Sequence, residues 1–364
     1  MWSEVTAARL LSLDAFRGLT IAAMILVNNP GTWAAVYPPL RHAAWHGLTP
    51  TDLIFPFFLF IVGMAIPLSL GGQQLGDALG RVLRRAAVIF VLGMVLNAVS
   101  DFHVTTVRIP GVLQRIAVCY LIAAVLFLAT SVRTQAITAC VLLLGYWAAM
   151  TLVPVPGYGP GDLRPEANLA AWIDRAVLGP HLWRAARVYD PEGILSTVPA
   201  VATVLLGVLA GHWVQSTRPP RTIARGLLVA GAVGVALGAV WGVWFPVNKA
   251  LWTSSYTVLT AGLALLVFTA CYWSIEIRGR RRWAMPFVVL GVNALAVFFA
   301  STLVAAVLTL IRVDGRHLQA LLFERVFAPW AAPVNASLAY AVAYVLVWWG
   351  AMWLLYRAGV RLRA

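Results

Sequence analysis

The sequence predicts an all-α integral membrane protein, a polytopic bundle of about ten transmembrane helices. Three observations carry that expectation. Of 364 residues, 61% are hydrophobic and only 11% are charged, a balance far from that of soluble domains. The apolar residues fall into runs of roughly 20, the length that crosses a hydrocarbon core as a helix. Basic residues cluster in the short segments between those runs, as topology-setting loops require.

The runs lie near residues 13–29, 50–70, 82–100, 111–130, 134–153, 193–215, 222–245, 251–273, 284–311 and 335–356. The ninth is long enough to be tilted, or broken near Gly291 and Asn293. With the N-terminus in the cytoplasm, sixteen of the 27 basic residues fall inside and nine of the 13 acidic residues fall outside. Both termini are therefore expected in the cytoplasm, with the first connecting loop on the extracytoplasmic face. Residues 1–364 read as a single transmembrane domain. Its one sizeable connection, 154–192, is rich in Pro and Gly and then helical around 166–178. About forty residues are too few for an independent domain, so this segment is expected to be a lid over the outer mouth.

A net charge of +14 would suit a nucleic-acid partner, but its loop-by-loop distribution argues against one. Cys119, Cys140 and Cys271 lie inside apolar runs without paired spacing, so they read as small core residues and not as a disulfide or metal framework. No cleavable signal is expected, because Asp14 and Arg17 border the first run and no small-residue cleavage site follows it. Gly226, Gly231, Gly234, Gly238 and Gly242 offer a candidate seam for a homodimer.

Polar residues gather where the outward-facing runs begin and end. The first loop holds Asn28, Asn29, Arg41, His42, Trp45 and His46, and Asp52 opens the second run. Asp101, His103, Arg108, Gln114 and Arg115 bracket the start of the fourth run. Tyr189, Asp190 and Glu192 precede the sixth, and FPVNKALWTSSY, with the chain's only lysine at Lys249, follows the seventh. Ionisable groups at membrane helix mouths need a compensating partner or a ligand, so their convergence on one face marks a site. Each also has a structural reading. Thr49-Pro50-Thr51-Asp52 is a capping box, Asp190-Pro191-Glu192 a helix start, and Lys249 an interfacial side chain. His42 and His46 have i, i+4 spacing, but no carboxylate or cysteine frames them as a zinc motif would, and no metal is expected.

Five stretches together carry a resemblance. RLLSLDAFRGLTIAAMILVNNPG…RHAAWHGLTPTDLIFPFFLFIVG, RIPGVLQRIAVCY, YDPEGILST, FPVNKALWTSSY and the Gly-Val-Asn of 291–293 stand in this order along nearly the whole chain. The chain thereby resembles the transmembrane acetyltransferase family of heparan-α-glucosaminide N-acetyltransferase and its bacterial relatives. The resemblance implies acetyl-CoA as donor, an amino sugar as acceptor, a bacterial cytoplasmic (inner) membrane location and a homodimer. It assigns catalysis to His42, in a His-Ala-x-Trp-x-Gly-Leu context, with Asp52 and Asn28. Arg17, Arg108, Arg115, Lys249 and Asn248 are the residues expected to bind the donor. Asn29, Trp45, Tyr189, Asp190, Glu192, Trp252 and Asn293 are those expected to bind the acceptor.

An amine must shed a proton as it attacks a thioester, and an imidazole suits that transfer. His42 would serve as base, or attack first and carry the acetyl group. Asp52 would orient the ring, and Asn28 or Asn29 would donate to the developing oxyanion. Two other readings stand beside this one. The Arg9…Asp14…Arg17-Gly18 start is similar to that of polysaccharide O-acyltransferases, and ten spans with polar mouths also suit a sugar transporter.

Overall fold

A backbone crossing hydrocarbon has no water to pair with, so long apolar runs must close their hydrogen bonds internally as helices. The computed structural model describes residues 10–100 and 104–360 and bears this out. In chain order the helices are α1 (Leu11–Asn28), α2 (Ile54–Leu70, entered through a 3-10 turn at Pro50–Leu53), α3 (Leu75–Ser100), α4 (Val112–Ala129) and α5 (Val132–Leu152). They continue with α6 (Leu169–Leu178), α7 (Thr197–Val214), α8 (Pro220–Trp241), α9 (Ser254–Tyr272), α10 (Met285–Val292) and α11 (Ala294–Leu310). A two-stranded hairpin, β1 (Arg312–Val313) and β2 (Arg316–His317), then leads to α12 (Leu318–Leu322) and α13 (Pro333–Arg357). Among the described residues nine helices are long and apolar enough to span a bilayer. The segments 282–292 and 294–310, bent by 69° at Asn293, are together long and apolar enough for a tenth, as a broken span or a re-entrant loop. The expected spans are thus found within a few residues, except that α3 begins earlier and carries Asp77, Arg81, Arg84 and Arg85 within it. Asp101, His103, Glu4, Arg9, Arg361 and Arg363, which entered the motif and charge readings, lie outside the described residues.

The bundle is assembled on α2, 72% of whose apolar window is buried, whereas α13 buries only 17% and stands at the periphery. Small residues set the closest helix contacts. A Cβ added at Gly63 would lie 2.0 Å from the carbonyl oxygen of Val204, and one at Gly207 2.2 Å from that of Phe60, so α2 and α7 meet backbone to backbone. Gly18 and Gly291 bring α1 and α10 together in the same way. Gly63→Ala is therefore expected to destabilise the protein by about 1–3 kcal/mol, read as a lower melting temperature in detergent. An unchanged melting temperature would show that the seam has slack.

Two expectations are corrected here. Gly231, Gly234 and Gly238 pack α8 onto Leu259 and Gly262 of α9, so the proposed dimer seam is used within the chain. Cys119 and Cys271 are buried as expected, but Cys140 is exposed on the outer face of α5.

Loops at one end of the bundle are tied to each other across long sequence separations. The amide of Gly47 donates to the carbonyl of Val247 at 2.8 Å, and that of Gly31 to Ser337 at 3.2 Å. Trp45 Nε1 donates to the carbonyl of Leu163 at 3.0 Å, holding the 154–192 segment against the first loop. Asn168 caps α6 through a 2.8 Å bond from the amide of Ala171, which starts that helix close to where the sequence places it. Three highly exposed tryptophans, Trp33, Trp244 and Trp330, mark this same end, as indole rings at a membrane interface do.

Candidate active site

Asp52 sits in the turn that opens α2, and its two oxygens have separate duties. Oδ2 accepts from the amide and hydroxyl of Thr49, each at 3.0 Å, and from the amide of Ala43 at 3.1 Å. Oδ1 is left facing His42, whose Nδ1 lies 2.7 Å away. The capping and catalytic readings of this residue are thus compatible within one carboxylate. Asp52 is buried while the His42 ring is half exposed, so the pair spans the boundary between bundle and mouth. From beneath, the hydroxyl of Tyr256 donates to the backbone carbonyl of Asp52 at 2.6 Å, locking α9 to the turn. With Nδ1 engaged by the carboxylate, Nε2 of His42 is the nitrogen that can accept a proton or attack a carbonyl.

Lys249 completes the cluster. Its Nζ lies 3.0 Å from Nδ1 and 3.3 Å from Nε2 of His42, and 3.8 Å from Oδ1 of Asp52. The loop carrying it is held firmly. The buried Asn248 side chain accepts from the amide of Leu251 at 2.8 Å, and Trp252 adopts a left-handed φ of 52° to turn the chain into α9. Burial lowers the Lys249 ammonium below the usual lysine range, while Asp52 and Glu192 pull it back up. Two unit charges about 3 Å apart repel by roughly 5 kcal/mol at an effective dielectric near 20, and among the described residues Asp52 is the one carboxylate touching both groups. The geometry therefore sets an imidazole and an ammonium against one shared carboxylate.

A second network lies alongside. Arg108 donates from Nε to Asp190 Oδ2 at 2.9 Å and from Nη2 to Asp190 Oδ1 at 2.5 Å, and Nη2 also meets Glu192. Its guanidinium stacks 5.7 Å from the Trp183 ring centroid. Burial alone would raise the Glu192 carboxyl, but Arg108, Arg115 and Lys249 outweigh it and hold Glu192 below its ordinary value. A depressed carboxylate stabilises the fold above its unfolded pKa, and this contribution is lost as pH falls through the folded value. Arg108→Ala strands two buried acids and is expected to cost about 3–5 kcal/mol. The melting temperature should fall at neutral pH and depend less on acidification than in the wild type. A neutral result would remove the network's structural role.

Several expected donor and acceptor ligands take other positions. Arg108, expected at the donor, is paired with two carboxylates. Arg115 is only 2% exposed, bonded to Ser196 Oγ at 2.5 Å and to the carbonyl of Gly193 at 3.1 Å, with its guanidinium over the Trp252 ring at 5.1 Å from the centroid. Asn248 spends its amide on the loop and on His46 Nδ1 at 3.3 Å. Trp252, expected as a stacking surface, is buried at 1% exposure between Phe55 and Tyr256. Arg17 pairs with Asp14 at 2.9 Å, eleven residues before Asn28 and so about 16 Å from it along α1. Asn293 is buried at the α10–α11 break, donating to the carbonyl of Val360, at the end of the bundle opposite His42.

The residues brought together are fewer. Trp45 stacks edge-on against Tyr189 with centroids 5.0 Å apart, next to the Arg108–Asp190–Glu192 network. Asn28 ends α1 exposed, and Asn29 turns back to donate to the carbonyl of Ile25 at 2.7 Å. Neither amide bonds to His42 or Asp52. Burial also lowers the His46 pKa, but its ring bonds to Asn248 and not to Asp52. Thr49, Tyr256, Trp183 and Ser196 were not singled out for the site from sequence. Thr49, Ser196 and Tyr256 lie inside quoted stretches, the capping box, YDPEGILST and FPVNKALWTSSY, whereas Trp183 lies in none.

The fold and the site define a class: a polytopic helical membrane protein with an imidazole–carboxylate pair at one mouth and a lysine against the imidazole. The family model described as heparan-alpha-glucosaminide N-acetyltransferase, catalytic, matches residues 9–239. Two proteins bearing that enzyme's name are similar to the chain. The one from Homo sapiens is 31% identical, covering 80% of this chain and 52% of its own length. The one from Mus musculus is 30% identical, covering 80% and 53%. The chain belongs to the heparan-alpha-glucosaminide N-acetyltransferase catalytic family. It spans about half the length of these relatives. The matched range takes in His42, Asp52, Arg108 and residues 189–192, and it ends before the loop that carries Lys249.

Proposed function

We propose that the protein transfers an acetyl group from acetyl-CoA to the amine of a hexosamine, using His42 as base or acyl carrier. The observation that carries this reading is the 2.7 Å His42–Asp52 bond at a membrane mouth, in a chain of an N-acetyltransferase family. Asp52 orients the ring and stabilises its protonated form, leaving Nε2 to take the proton of the attacking amine. In the two-step route the same nitrogen attacks the thioester and carries the acetyl group. Asn28 and Asn29 sit at the end of α1 on the same side and supply amide donors for the oxyanion.

The acceptor fits the Trp45–Tyr189 wall, where aromatic faces suit a sugar ring and Asp190 and Glu192 suit its hydroxyls. For the donor, Arg17 fits a CoA head entering from the opposite face, with the acetyl end reaching His42 through the bundle. The excess of basic residues in the loops at that opposite end supports placing the His42 mouth outside a bacterial cytoplasmic membrane. A homodimer remains part of this reading on the family resemblance.

Purified protein in proteoliposomes is expected to convert radiolabelled acetyl-CoA and glucosamine to N-acetylglucosamine, with little transfer to sugars that offer hydroxyls alone. Transfer to hydroxyls alone would favour the O-acyltransferase reading. Sugar uptake without any CoA dependence would favour a transporter. Within the acceptor wall, Trp45→Ala should raise the KM for glucosamine about tenfold or more with the KM for acetyl-CoA unchanged. The opposite split would move that wall to the donor.

A further inference from the structure

We propose that Lys249 is the second proton carrier of the transfer: its ammonium protonates the departing CoA thiolate, and His42 then returns the proton to it directly. This rests on the acetyltransferase reading of the site. The contact that suggests it is the approach of Nζ to both ring nitrogens, at 3.0 and 3.3 Å, with Asp52 Oδ1 at 3.8 Å. A cation recruited only to neutralise Asp52 would be expected to take the carboxylate oxygen itself, but that place is held by His42 Nδ1.

The choice of residue points the same way. Among 27 basic side chains this is the single lysine. Arginine holds its proton at any working pH, whereas an ammonium can release one. At the one position in contact with the candidate base, the chain carries the cation that can titrate. Burial of this side chain favours that release.

The balance closes. The acetyl carbon gains a bond to the amine nitrogen and loses its bond to sulfur. The amine gives one proton to His42 Nε2, and the thiolate takes one from Lys249 Nζ. The imidazolium then passes its proton across the 3.3 Å contact to the neutral amine of Lys249. CoA leaves as the thiol, the sugar as the amide, and the site regains its starting charge with nothing oxidised or reduced.

The charged and titratable groups facing Nζ are His42 from the first loop, Asp52 from the turn into α2, and Glu192 ahead of α7. The test uses Lys249→Met and Lys249→Arg in proteoliposomes, each checked for a wild-type melting temperature. Rates are followed against pH with acetyl-CoA and with an acetyl thioester of the more acidic thiophenol. Both variants should lose about 100-fold with acetyl-CoA and lack the alkaline limb of the wild-type profile. The loss should shrink to a few-fold with the thiophenol ester, whose thiolate departs without an acid. A merely structural role would slow both donors equally. Equal losses, or Lys249→Arg within about threefold of wild type, would overturn the proposal and leave His42 in place. No acetyl transfer by the wild type to any amine would overturn the acetyltransferase reading, and this one with it.

Discussion

His42→Ala is expected to lower acetyl transfer from acetyl-CoA to glucosamine by at least about 10²–10⁴-fold while the protein keeps its melting temperature. The ring is half exposed and touches the fold chiefly through Asp52 and Lys249, so its removal leaves no cavity in the core. The imidazole sits above a buried carboxylate, with Nε2 turned from that carboxylate and against the ammonium of Lys249. Single-turnover assays in proteoliposomes would separate the chemical step from donor binding. His46→Asn supplies the contrast: that ring meets Asn248 and Trp45, so turnover should change little. Undiminished turnover by His42→Ala, or its loss in His46→Asn, would mean that the wrong imidazole has been identified.

Asp52 is the second position where a large effect is expected, and two substitutions divide its duties. Asp52→Asn keeps the size of the side chain but removes the charge that favours the imidazolium, so turnover should fall by about 10²–10⁴-fold. Asp52→Ala should be as inactive and less stable as well. It strips the acceptor from the amides of Ala43 and Thr49, each loss costing about 1–3 kcal/mol when the group stays buried. The melting temperature of Asp52→Ala should therefore fall below that of Asp52→Asn. Wild-type turnover in either variant would reduce the carboxylate to a helix cap.

How much of this site could be read from sequence depends on how far its contacts reach. Asp52 lies ten residues from His42, and the Thr49-Pro50-Thr51-Asp52 turn is local, so both halves of that pair could be named. The division of labour between Oδ1 and Oδ2 could not, because it depends on the path by which the first loop returns over the turn. Lys249 is 207 residues from His42. Its charge and position at a helix mouth suggested a phosphate ligand, since nothing local distinguishes an ammonium that meets a phosphate from one that meets an imidazole. The pairing of Arg108 was hidden for the same reason, its partners Asp190 and Glu192 lying 82 and 84 residues away. Trp252, expected to stack on the acceptor's ring, is folded by a left-handed turn against Arg115.

By itself the sequence determined the class, the span boundaries to within a few residues except at the start of α3, the break near Asn293 and the family. Each of these follows from local or additive properties: apolar run length, loop charge and motifs of contiguous residues. Only the tertiary structure decided which polar groups neutralise one another and which stay available. A buried charge must find its partner wherever the packing brings one, and glycine seams such as Gly63–Gly207 and Gly18–Gly291 set how closely the helices carrying those partners approach.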